Sequence, residues 1–78
     1  MSILLKIGSS GEQVRDLQKM LNFLNVQPIP LNVDGVFGPK TKASVVQFQS
    51  KSFLAADGVV GPITSQKLIA SVMSKVKV

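Results

Sequence analysis

The chain has 78 residues, with nine Lys and Arg against four Asp and Glu, and neither Cys nor His. That length makes one small domain, residues 1–78, near the lower limit for folding without staples. Without Cys, disulfides and thiolate metal sites are excluded. No apolar run approaches the roughly 20 residues of a membrane span, and Ile3-Leu4-Leu5 is too short for a signal-peptide core. The net charge of +5 points to an anionic partner: nucleic acid, membrane surface or an anionic cell wall. The basic residues run from Lys6 to Lys77 without forming a block, so charge alone does not choose among these.

In chain order, Met1 to Ile7 reads as extended, with Ile3, Leu4 and Ile7 available to cover a core edge. Ser9-Ser10-Gly11-Glu12 reads as a capping box in which Ser9 caps a helix and Glu12 reaches back. The first helix is expected from about Ser10 to Leu24. At about 100° per residue, Val14, Leu17, Met20, Leu21 and Leu24 share one face. Arg15, Lys19 and Asn22 lie opposite, and Gln18 borders the apolar stripe. Asn25 suits a left-handed helix end. Two prolines, Pro28 and Pro30, keep Val26 to Asn32 in a loop.

The next stretch is used twice. Asp34-Gly35-Val36-Phe37-Gly38-Pro39-Lys40-Thr41 returns 23 residues later as Asp57-Gly58-Val59-Val60-Gly61-Pro62-Ile63-Thr64, matching at six of eight positions. Each copy has a leucine three residues upstream, Leu31 and Leu54. Asp-Gly is a turn pair, in which the carboxylate accepts nearby backbone N–H groups and glycine tolerates positive φ. Gly38 and Gly61 fall where a helix N-cap sits, and a proline follows at the first helical position, where its missing N–H costs nothing. Each copy is therefore a turn that launches a helix, and Asp34 and Asp57 are turn formers.

The second helix is expected from Pro39 to about Lys51. Thr41, Val45 and Phe48 form its inner stripe, widened by Ala43 and Val46. Gln49 projects between Val45 and Val46, half buried and in need of partners that a neighbouring turn's backbone can supply. The third helix is expected from Pro62 to about Ser74, with Thr64, Leu68, Ile69, Val72 and Met73 inside, and with Lys75 and Lys77 in a fraying tail. Three amphipathic helices bury their stripes against one another. The expected fold class is all-α, a small three-helix bundle with two D-G-x-x-G-P turns launching the second and third helices.

No enzyme is supported. With no His, no Cys and no nucleophile–base arrangement, only Asp34 and Asp57 remain as an acid/base pair, and their identical turn settings argue for identical structural jobs. Four scattered carboxylates form no oxygen cage for a metal, and no cofactor is expected. A basic three-helix DNA reader is a rival, but the outer face of the third helix offers Lys67, Ser71 and Ser74 with only Gln66 as an amide reader, which is poor for base recognition. A pro-domain or interaction module of the same fold is a further alternative.

Taken together, Gly8, Gly11, Val14, Leu17, Gln18 and Leu21, then Asp34, Gly35, Phe37, Gly38 and Thr41, then Val45, Val46, Phe48 and Gln49, then Leu54, Asp57, Gly58, Val60, Gly61, Thr64 and Leu68 form an ordered set. This set resembles the peptidoglycan-binding domain family of the PGBD-like, "domain 1" type, over roughly residues 6 to 70. The resemblance implies a three-helix bundle and a non-catalytic module that anchors bacterial cell-wall hydrolases or phage endolysins to their substrate. Its partners would be peptidoglycan, through stem peptide or glycan, and anionic wall polymers, with no nucleic acid and no membrane span. It implies a monomer at the cell wall or outside the cell, or a phage endolysin reaching the wall from the cytoplasm.

Three positions depart from the family's pattern. Asn25-Val26 stands where the family often has Gly after the first helix, Phe53 where it often has Gly before the leucine of the second repeat, and Ser65 where it often has Trp. With no Trp or Tyr, a glycan-stacking platform is disfavoured, and stem-peptide and carboxylate contacts become the expected mode. An exposed Phe53 could supply such a platform, but the usual burial of Phe makes it a core plug. The candidate contact residues are Arg15, Gln18, Asn22 and Lys40, on the wet side near the first turn and outside the expected core. If they do not carry the site, the second turn around Phe53 and Asp57 is the next candidate.

Overall fold

The computed structural model describes residues 4–76. It has three α-helices: α1 (Glu12–Phe23), α2 (Pro39–Lys51) and α3 (Pro62–Val76). α1 packs against both of the others. The core gathers Val14, Leu17 and Leu21 from α1, Val45 and Phe48 from α2 and Leu68 from α3, with Leu5, Val26, Phe37 and Val60 from the connecting segments. Each such side chain contributes about 1.5–3 kcal/mol by leaving water.

The N-terminal segment ties the two repeated turns to the bundle. Leu5 and Val60 exchange backbone hydrogen bonds of 3.0 and 2.8 Å as an isolated antiparallel bridge. Further along, Gly8 N–H donates to Phe37 O at 3.1 Å, Phe37 N–H to Ser9 O at 2.9 Å and Gly11 N–H to Gly35 O at 2.9 Å. Leu5 is the residue this pairing buries, while Leu4 and Ile7 are exposed; Ile3 lies outside the described residues. Extended backbone alternates its side chains, so burying Leu5 turns Leu4 outward.

The same pairing displaces the expected capping box. Ser9 is engaged with Phe37 as extended backbone, and its hydroxyl accepts the Lys6 N–H at 3.1 Å. The helix therefore begins two residues later than expected at its cap: Gly11, at φ 118, is the N-cap, with no side-chain cap bond. Glu12 pairs with Arg15 at 3.3 Å instead of reaching back.

α1 and α2 end alike. Val26 N–H donates to Leu21 O at 3.3 Å and Asn25 N–H to Asn22 O at 3.0 Å, with Asn25 at φ 53. Leu54 N–H donates to Gln49 O at 2.8 Å and Phe53 N–H to Ser50 O at 3.3 Å, with Phe53 at φ 60. Both are Schellman endings, whose left-handed residue usually is Gly or Asn. Asn25 fulfils that expectation. Phe53 does not plug the core: the left-handed position carries its side chain away from the helix, and it is 97% exposed.

Two helix faces are corrected. In α2, Ser44 is buried beside Thr41, Val45, Phe48 and Gln49, whereas Ala43 is exposed. In α3, Ile69 and Met73 are exposed, and the line toward α1 passes through Thr64, Leu68 and the half-buried Ser71 and Val72. A helix covered on one side buries only one narrow line, and Ile69 falls about 100° and Met73 about 140° from Leu68. α3 also runs on through Val76. Lys75 is docked on the end of α1, donating to Phe23 O, with its ammonium 4.8 Å from the Phe23 ring centre. Lys77 lies outside the described residues.

Candidate binding site

Two glutamines organise the two turns. Gln18 leaves α1 buried, 1% exposed. Its Nε2 shares its two hydrogens among three acceptors, Asp34 Oδ1 at 3.0 Å, Val36 O at 3.1 Å and Thr41 Oγ1 at 3.1 Å. Its Oε1 accepts the Gly35 N–H at 3.0 Å. Gln49 leaves α2 equally buried and repeats the set: Asp57 Oδ1 at 3.1 Å, Val59 O at 3.0 Å, Thr64 Oγ1 at 3.1 Å, and the Gly58 N–H at 3.0 Å. One amide thus fastens three consecutive stretches of chain: the helix it comes from, the turn, and the first turn of the next helix. Gln49 finds the partners foreseen for it in a neighbouring turn and is more deeply buried than expected.

The Asp-Gly pair is the other half of each cassette. Asp34 Oδ1 also accepts the Val36 N–H at 3.0 Å, and Asp57 Oδ1 the Val59 N–H at 2.9 Å. The Val36 N–H, followed by the Gln18 amide, holds the Asp34 carboxyl below its ordinary range. The Val59 N–H and the Gln49 amide do the same for Asp57. Both are charged at neutral pH. Gly35 and Gly58 take φ 75 and 73, the region where a Cβ is strained. Gly38 is the N-cap of α2 with Pro39 next, and Gly61 O accepts the Ser65 N–H at 2.8 Å in the same place on α3.

Beside each cassette lies an open groove. The first, about 350 Å³, runs from Leu31 and Asn32 over Asp34 to Lys40 and Thr41. The second, about 450 Å³, runs from Leu54 and Ala55 over Asp57 to Ile63 and Thr64, and adds Leu4 and Phe53. The two share a lining at the 23-residue offset, with two substitutions of character: Asn32 becomes Ala55, and Lys40 becomes Ile63.

Among the sequence-based candidates, Lys40 and Gln18 line the first groove. Gln18 does so from inside, with its amide committed, so its expected place on the wet surface is overturned. The reason is local: Gln18 follows Leu17 toward the core, and burial there is tolerable because every polar atom is met. Asn22 is half buried and grips Leu31, donating to its O at 2.9 Å and accepting its N–H at 2.8 Å. Arg15 is exposed, paired with Glu12 and laid against Gly35. Arg15 and Asn22 are not lining residues of the first groove. Asn32, Ala55 and Ile63 were missed; the signal that could have found them is the mismatch between repeats.

The comparisons with known proteins agree with this architecture. The family described as "Putative peptidoglycan binding domain" matches residues 10–68. A zinc D-Ala-D-Ala carboxypeptidase of Streptomyces albus G is 50% identical over 64 residues, which is 82% of this chain and 25% of that protein. The N-acetylmuramoyl-L-alanine amidase CwlL of Bacillus licheniformis is 36% identical over 74 residues, 95% of this chain and 20% of the amidase. The chain therefore spans a quarter or less of these hydrolases' lengths. Among solved structures, the SleB N-terminal domain superposes with a TM-score of 0.84 at 36% identity, covering 90% of this chain and 93% of that one.

Proposed function

Because this chain belongs to the peptidoglycan-binding domain family, as a module of the kind carried by larger cell-wall hydrolases, we propose that it holds such an enzyme on its insoluble substrate through the stem peptide. The observation that carries this reading is the mixed lining of the first groove, where the Lys40 ammonium, the Asn32 amide and the Asp34 carboxylate line one trough. A peptide with a free carboxylate and backbone amides is complementary to it: the carboxylate meets Lys40, and amide N–H groups meet Asp34 and Asn32. The module acts as a monomer. It reaches the wall either after export of its parent or as part of a phage lysin.

The test is co-sedimentation with isolated sacculi. The domain should pellet at low salt and hydrolyse nothing, and retention should fall as salt rises past about 0.1 M, where charges are screened within about 10 Å. Lys40→Ala should weaken retention by about threefold, the scale of an exposed ion pair. A soluble stem peptide should compete and shift the Asn32 and Lys40 amide signals. Wild-type protein left in the supernatant while a known wall binder pellets refutes the reading.

A further inference from the structure

Phe53 is a residue the fold does not account for. It closes α2 at φ 60, where glycine is unstrained and a bulky side chain is an outlier. The matching end of α1 uses Asn25. At 97% exposure the Phe53 ring returns almost no burial for that strain. Strained backbone that packing does not repay is a mark of a working surface.

The ring borders the second groove together with Leu4, Ala55 and Ile63. Among the described residues lining this groove none is Lys or Arg, and the charged one is Asp57. Asp57 Oδ1 is taken by Val59 and Gln49, which leaves Oδ2 as the oxygen that a ligand's donor would meet. A lone carboxylate without a cation repels the carboxylates of a stem peptide and accepts hydroxyl or amide donors. The charge pattern therefore selects a neutral, donor-rich ligand, and the exposed ring and aliphatic wall select one with an apolar face. A pyranose bearing an N-acetyl group has both.

We propose that Phe53 and the second groove bind an N-acetylated hexosamine unit of the glycan strand, its C–H face stacked on the Phe53 ring and its acetyl methyl against Ile63. This rests on the peptidoglycan reading and names the part of the polymer that the second groove takes.

An N-acetylglucosamine oligomer serves as the probe, titrated against the chain and followed by NMR. The Phe53 ring and Ile63 methyl signals should shift saturably. Phe53→Gly and Phe53→Asn, both compatible with the left-handed backbone, should hold or raise the thermal midpoint. Both should lower oligomer affinity about tenfold, as expected for uncovering part of a Phe-sized apolar surface. Binding of a soluble stem peptide should be unchanged. The proposal is overturned if the oligomer leaves these signals unmoved, or if both variants bind it as the wild type does. It is also overturned if the Phe53 signals move with protein concentration alone, which would make a second copy the occupant. The oligomer titration reads this groove directly, so failure of the wild type to pellet with sacculi is a separate result that strikes the broader reading.

Discussion

Each buried glutamine amide meets four groups: an aspartate oxygen, a carbonyl, a threonine hydroxyl and a glycine N–H. The aspartate oxygen keeps its valine N–H without it, but removing the amide strands the buried glycine N–H and threonine hydroxyl together, and a buried polar group without a partner costs about 1–3 kcal/mol. Gln18→Ala and Gln49→Ala should therefore each destabilise the chain by about 3 kcal/mol or more, measured by urea unfolding. An effect within about 0.5 kcal/mol, as for an ordinary surface site, would show that the amide is not structural. At this scale the sequence was half legible. Gln49 revealed its need for partners because it interrupts an apolar pair, Val45 and Val46. Gln18 did not, because a polar residue at the border of a helical stripe looks the same whether it faces water or a turn distant in sequence. Phe53 was misread for a different reason: the burial preference of Phe is an average over packing sites, and a helix-ending position overrides it.

At the level of elements, the two turns look alike yet differ in what surrounds their glycines. A Cβ at Gly35 would stand 3.2 Å from Gly11 O and 3.3 Å from the Arg15 side chain. At Gly58 the three atoms nearest to such a Cβ all belong to the Lys42 side chain, the closest at 2.9 Å. A lysine chain can swing aside, whereas the Gly11 carbonyl is fixed by accepting Arg15 N–H as α1 begins. Both Gly→Ala changes pay the cost of positive φ, about 1 kcal/mol. Gly35→Ala should cost more than Gly58→Ala, and thermal midpoints of the two variants should fall in that order. Equal midpoints would mean that backbone strain alone decides. Helix starts at Pro39 and Pro62 were readable because proline and glycine act locally. The start of α1 was not, since what holds Ser9 away from the helix is its pairing with Phe37. The outward turn of Ile69 and Met73 was hidden for the same kind of reason: a stripe shows which residues could be covered, not how much cover the neighbouring helices supply.

For the molecule as a whole, nine basic residues face four acidic ones, and two of those four hold the turns. Their carboxyls titrate lower in the folded chain than in the unfolded one. The unfolded state therefore takes up protons first as pH falls. Stability from these groups is complete above the ordinary aspartate value of about 3.9 and is lost as pH drops through the lower folded values. Protonation also leaves the positive charge of the basic residues less opposed, which repels in the same direction. The thermal midpoint should thus fall below about pH 4, and the Asp34→Asn, Asp57→Asn double variant, which keeps an acceptor oxygen, should flatten that fall. An unchanged slope would show that the two turn carboxylates do not set the acid sensitivity. The cassette has a longer-range consequence. Its bonds close on themselves, and the positions where the two grooves differ, 32 with 55 and 40 with 63, take no part in them. A duplicated frame of this kind gives selection a spare copy: one groove can keep its ligand while the other drifts toward a new one, and neither change is charged against folding.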